Sequence, residues 1–229
     1  MTSLEEVLKR LRENANPANL EGMKRYGMTV ERRLGVSVPA MRGIAKDLGK
    51  NHALALELWD TDLAEGKILA SMVDEPDKLT EAQMDSWVVG FDSWDVCDQV
   101  CMNLFEKSPL AWKKISEWSM REEVFVKRAA FALIACLAWH SKTAKDEDFM
   151  SVFPVIKSGA TDERNFVKKA VNWALRNIGK RNLCLNDAAI SLAKETMRMN
   201  FKSAKWIGSD AVRELESEAV QKKLRKKSA

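Results

Sequence analysis

The chain has 229 residues, 46% of them apolar and 31% charged, with only 10 Gly and 5 Pro. Those proportions exclude a disordered, collagen-like or loop-dominated protein, and the length is enough to bury a large core without disulfide or metal staples. The net charge of +4 is unevenly spread: residues 161–229 carry 16 Lys/Arg against 8 Asp/Glu, whereas residues 1–160 carry 21 against 25.

In chain order, MTSLEEVLKR at 1–10 reads as a helix start, not a signal peptide, because it carries acids and lacks a central apolar run. Ser3 with Glu6 forms a capping-box pattern, as does Thr80 with Gln83. Pro17, Pro39 and Pro109 fall near expected first turns, where a missing N–H costs nothing. Apolar positions recur at helical spacing throughout and no segment sustains strand alternation. About a dozen helices of roughly 10–20 residues are expected, joined by short connectors. No run approaches 18 apolar residues, so no membrane span is expected and the chain is read as cytoplasmic.

The segment FDSWDVCD at 91–98 carries the first constellation of interest. Trp94 and Asp98 are four apart and share a helical face, while Val96, Cys97, Val100 and Cys101 supply an apolar one. Asp95 suits the first turn of a helix, with Ser93 as its cap. Asp98 lies too deep in the helix for that role, which leaves a paired structural acid or a functional carboxylate. The four Cys, at 97, 101, 136 and 184, and two His, at 52 and 140, show no zinc spacing. A core role is expected for Cys97 and Cys101, and neither a metal nor a cofactor is expected.

An internal match follows. FVKRAAFAL begins at Phe125 and FVKKAVNWAL at Phe166, 41 residues later, and a weaker third copy places Ile207, Ala211 and Val212 in register with Phe166, Ala170 and Val171. A period near 40 is that of HEAT and armadillo arrays, whose units stack into a curved solenoid. The fold class is therefore all-α: a superhelical solenoid of HEAT-like repeats with a concave basic face. One domain is expected over 1–220, followed by a basic tail at 221–229.

On a helix over 166–180, Val167, Ala170, Val171, Ala174 and Ile178 form a core stripe. Lys169, Trp173, Arg176 and Lys180 form a second face, and Arg128 is in register with Lys169. The spacing suits a ladder of phosphate contacts. Trp173 is either a core tryptophan or a groove residue. The remaining tryptophans, Trp59, Trp87, Trp112, Trp118 and Trp139, read as core or repeat-interface residues. The basic C-terminal third points to a polyanionic partner, although a frayed tail, KKLRKK at 222–227, supplies five of its cations.

SWDVCD at 93–98, FVKRAA at 125–130 and FVKKAVNWALRNIGKRN at 166–182, with MKRYG at 23–27 and GVSVPAMRGIAK at 35–46, resemble the AlkD family of DNA alkylation-repair glycosylases. The resemblance runs from about Leu4 to Leu215. It implies hydrolytic removal of purines alkylated at N3 or N7 from double-stranded DNA, by a monomer, without base flipping and without strand cleavage. It assigns the catalytic carboxylate to Asp98 and the two active-site tryptophans to Trp94 and Trp173. Groove arginines fall on Arg128 and Arg176 and an N-terminal aromatic on Tyr26. Lys127, Lys168 and Lys169 join them as candidate DNA contacts. One departure is visible: the family often carries a second Trp directly before the motif Trp, and here that position is Ser93. The rival readings are a non-catalytic DNA-binding relative and a protein-binding scaffold.

Overall fold

The computed structural model describes residues 2–228, and among them the regular structure is helical, with no strand. The chain divides into two compact units, Met1–Ala111 and Trp112–Ala229. Fifteen α-helices are present among the described residues. That exceeds the dozen expected from periodicity, because several helices have only six to eight residues and leave too little periodic pattern to separate.

The first unit holds α1 (Leu4–Glu13), α2 (Ala18–Arg25), α3 (Val38–Leu48), α4 (His52–Asp60), α5 (Ala64–Val73), α6 (Glu81–Val89) and α7 (Trp94–Asn103). The sequence signals hold locally. Ser3 Oγ accepts the Glu6 N–H at 3.3 Å, Thr80 Oγ1 accepts that of Gln83 at 3.1 Å, and Pro39 lies in the first turn of α3. Helix α5 is the hub: it packs against α3, α4 and α7 and is buried on nearly all sides. An all-buried helix must satisfy its polar groups internally. Lys67 Nζ accordingly donates to Asp62 Oδ1 at 2.7 Å and the Gly90 carbonyl at 3.0 Å. Burial nonetheless lowers the Lys67 pKa, against the opposing charge of Asp92. The expected core tryptophans Trp59 and Trp87 stack face to face, 4.1 Å between centroids.

The second unit holds α8 (Ala111–Ser119), α9 (Val124–His140), α10 (Asp146–Ser151), α11 (Phe153–Gly159), α12 (Asn165–Gly179), α13 (Leu183–Met197), α14 (Lys202–Leu215) and α15 (Glu218–Ser228). The 41-residue repeat appears as α9, α12 and α14, with α12 packed on both of the others. Val167, Ala170, Val171, Ala174 and Ile178 are fully buried, as are Ala129, Ala130 and Leu133. Phe125 and Phe166, which open the two copies, meet at 5.5 Å. Bridges repeat with nearly the same offset: Asn177 Nδ2 donates to the Ala135 carbonyl at 3.2 Å, and Asn172 Nδ2 to Asp210 Oδ2 at 2.7 Å. A Cβ on Gly159 would sit 2.2 Å from the Phe131 ring, so this helix end needs glycine.

Two expectations change here. Trp118 is buried and Trp112 packs edge-on against Phe149, but Trp139 is 64% exposed and not a core residue. It sits in the last turn of α9, where the buried stripe ends. The basic segment 222–227 is not frayed: it continues α15, with Leu224 buried and Lys227 Nζ donating to the Lys180 carbonyl at 3.1 Å. A cation placed at the carbonyl of the C-cap residue of α12 is favoured there by the helix dipole.

Candidate functional site

In the first unit the site is built at the start of α7. Val96, Cys97, Val100 and Cys101 turn one face of this helix fully into the core. Trp94 and Asp98, one turn apart, are half-buried. The Trp94 indole Nε1 donates to the Tyr26 carbonyl at 3.0 Å, and Tyr26 itself is 75% exposed. Three of the candidate residues thus share one unit, and two of them are directly bonded.

The segment that carries Tyr26 is strapped down. Glu65 of α5 is buried, and its Oε1 accepts the N–H groups of Leu34, Gly35 and Val36 at 3.1, 2.8 and 3.2 Å. Gly35 has φ +75°, and a Cβ there would meet the Asn16 carbonyl oxygen at 2.2 Å, so the turn requires glycine. Asp95 receives both guanidinium ends of the buried Arg33 at 2.6 and 2.7 Å. Arg33 Nε in turn donates to the Thr29 carbonyl, and Thr29 Oγ1 to the Asp92 carbonyl at 3.0 Å.

Asp95 is therefore more than a first-turn acid. Ser93 does occupy the cap position, but its side chain makes no bond to the helix backbone; its hydroxyl donates to Asp95 Oδ1 at 2.6 Å instead. The sequence missed Arg33 and Glu65. An arginine 62 positions from its acid leaves no spacing signal, and Glu65, in a helix that also carries Lys67, has no partner close enough in sequence to flag it.

In the second unit the two copies of the motif diverge. Arg128 is 5% exposed, and its Nη1 donates to the Phe166 carbonyl at 2.6 Å. Lys169, in register with it, is exposed. The expected equivalence of these cations fails because the first turn of α12 presents a carbonyl to Arg128. Lys127 pairs with Asp162 at 3.3 Å, and Lys168 lies 5.2 Å from the centre of the Trp206 ring. Arg176 is half-buried and bonded to Glu214, with Asp210 at 3.5 Å.

Burial alone would raise the Glu214 pKa, but a hydrogen bond from Lys180 and the charges of Arg176 and Lys180 outweigh it and hold the pKa below the ordinary carboxylate value. Trp173 is half-buried and lines a cleft of about 730 Å³ with Trp139, Lys180, Lys223 and Lys227. Among the described residues, no group of three or more His, Cys, Asp or Glu is placed to hold a metal ion, and no helix is long and apolar enough to cross a membrane.

The chain is similar to known proteins in sequence and in fold. The family model described as DNA alkylation repair enzyme matches residues 7–204. A solved structure from "a new family of proteins related to the HEAT-like repeat DNA glycosylases with affinity for branched DNA structures" superposes with a TM-score of 0.77, at 20% identity, over 93% of this chain and 95% of that one. At that identity the likeness establishes the fold, all-α and HEAT-like. An engineered protein matches with a TM-score of 0.38 at 13% identity, over 94% of this chain and 99% of that one, too weakly to argue from. The same holds for a designed armadillo repeat protein bound to a peptide, with a TM-score of 0.36 at 12% identity over 97% of each chain. No curated protein matches significantly.

Proposed function

The chain belongs to the DNA alkylation repair enzyme family, and on that premise we propose that it is a monofunctional DNA glycosylase acting on cationic N3- or N7-alkylated purines in duplex DNA. The observation that carries the reading is the placement of half-buried Asp98 one turn after Trp94 on α7, beside a Tyr26 segment held by buried bonds.

A purine alkylated at N3 or N7 already carries positive charge. Its bond to C1′ breaks with the electron pair leaving on the base, which departs neutral, so no general acid is needed. Positive charge then develops on the sugar, and a fixed carboxylate beside it lowers the barrier. Asp98 fills that role and orients the water that attacks C1′, whose proton passes to the carboxylate or to solvent. Trp94 and the exposed Tyr26 ring supply apolar surface against the deoxyribose backbone. In the other unit, Lys168 and the exposed Lys169 bind phosphates, with Lys127, Arg128 and Arg176 holding the helices that present them, and Trp173 offers a second aromatic surface to the lesion backbone from the cleft that it lines.

The test is release of free base from duplex DNA containing N7-methylguanine. Wild type is expected to release it, and Asp98→Asn to be slower by at least about tenfold, or 1.4 kcal/mol of barrier. A second reading, non-catalytic binding of branched DNA, draws on the description of the solved relative. Tight, salt-sensitive DNA binding with no release from either N7-methylguanine or N3-methyladenine duplexes would favour it.

A further inference from the structure

The cleft that Trp173 lines in the second unit extends to residues that the glycosylase chemistry does not use, Trp139, Lys223 and Lys227. The cleft of about 730 Å³ is walled by the ends of α9 and α12, by α14 and by α15. Trp139 stands on its rim. The ring stacks on His140 at 4.9 Å between centroids and still leaves the residue 64% exposed. A large aromatic ring open to water on the rim of a basic concave surface offers a face on which a planar ligand can stack.

The charges beside it are arranged asymmetrically. Lys223 and Lys227 come from one face of α15 at i and i+4, and both are exposed; Lys227 Nζ is held in place by the Lys180 carbonyl and keeps its charge and further N–H donors for an anion. Lys180 is tied to Glu214 at 2.8 Å and Arg176 pairs with the same carboxylate, so that side of the cleft is already compensated. An anion entering the cleft is drawn to the α15 lysines, which face no carboxylate of the lining other than this paired one. The volume lies in the range of pockets that hold a nucleotide-sized ligand.

We propose that this cleft binds an unpaired DNA nucleotide, with its base stacked on Trp139 and its phosphate at Lys223 and Lys227. Stacking on an exposed ring combined with a basic track is the physics of single-strand binding, and a paired base cannot reach such a ring while its faces are covered by its neighbours. The proposal rests on the reading of this chain as a DNA-binding repair protein and adds an unpaired strand to its partners.

The test is fluorescence anisotropy of the full chain with three dye-labelled DNAs: a blunt duplex, the same duplex with a short oligo-dT extension, and oligo-dT alone. The extension is expected to tighten binding by about fivefold or more, the size of one base stacked on an aromatic side chain. Trp139→Ala should remove that gain and leave the blunt-duplex affinity unchanged, Trp139→Phe should keep much of it, and Lys223→Gln should reduce it. Circular dichroism confirms that each variant is folded. A blunt duplex bound by wild type with no gain from the extension would overturn this proposal alone. An equal loss of blunt and extended duplex in Trp139→Ala would overturn it too, by making the ring a duplex contact. Failure to bind any of the three DNAs would overturn both this proposal and the repair reading.

Discussion

The Trp94 indole donates to the Tyr26 carbonyl at 3.0 Å, 68 positions earlier in the chain. That one bond ties the first residue of α7 to the end of α2 and places an exposed aromatic ring beside the candidate carboxylate helix. Trp94→Phe keeps an aromatic ring but removes the indole N–H together with part of the ring surface. A net hydrogen bond at a partly exposed position is worth about 1 kcal/mol, so the urea midpoint should drop slightly. Amide hydrogen exchange should speed up between Tyr26 and Gly35 more than elsewhere. Uniform exchange changes across the first unit would show that the bond does not hold this segment.

Asp95 and Asp98 stand less than one turn apart and are expected to fail differently. Asp95→Asn removes the charge facing the buried Arg33. Breaking a buried pair from one side costs about 3–5 kcal/mol, so this variant should lose much of its stability as read by urea unfolding. Asp98→Asn should lose base release, measured per folded molecule. If Asp95→Asn were as stable as wild type, the Arg33 clamp would be unimportant to the fold.

Arg128 and Lys169 occupy equivalent repeat positions, and their variants should separate in the same manner. Arg128→Gln removes a charged hydrogen bond to the Phe166 carbonyl and should destabilise the protein by about 1.5–3 kcal/mol, the contribution of a hydrogen bond to a charged group. Lys169→Ala should leave stability unchanged and reduce the slope of log K against log salt by about 0.9, the value for one phosphate contact. The opposite pattern, with Arg128→Gln altering only the salt slope, would make Arg128 the phosphate ligand.

The contrast between those two cations shows where a sequence stops being legible. The repeat was visible in the sequence because Phe125 and Phe166, with the alanines that follow each, answer to a helical period that packing must respect. The core stripe of α12 followed directly. Arg128 was in perfect register with Lys169, yet one is buried and the other exposed, because a backbone carbonyl reaches only the first. Trp139 looked like core for the same reason: its neighbours Leu137 and Ala138 are buried, and nothing local marks the point where α9 leaves the packed layer. Trp94 and Asp98 could be paired from spacing alone. Arg33, Glu65 and the Tyr26 carbonyl could not, since each reaches its partner across 29 or more positions of chain.

Glu214 gives the clearest dependence on pH. Its carboxylate accepts from Lys180 and Arg176, and its pKa is lowered from the ordinary value of 4.5 despite the raising effect of burial. A carboxylate whose folded pKa is depressed binds fewer protons in the folded state than in the unfolded one. Its contribution is complete above the unfolded pKa and disappears as pH falls through the folded pKa. Glu214→Gln should therefore be less stable than wild type at about pH 7, and the difference should shrink as the pH falls below the ordinary carboxylate value and through the depressed folded pKa. Thermal unfolding at a series of pH values measures this directly. Asp162, lowered by its bonds to Arg164 and Lys127 against burial, retains its own acid sensitivity in that variant, so the curves should converge without becoming flat. A gap that stays constant from neutral to acid pH would mean that Glu214 contributes by packing and not by charge.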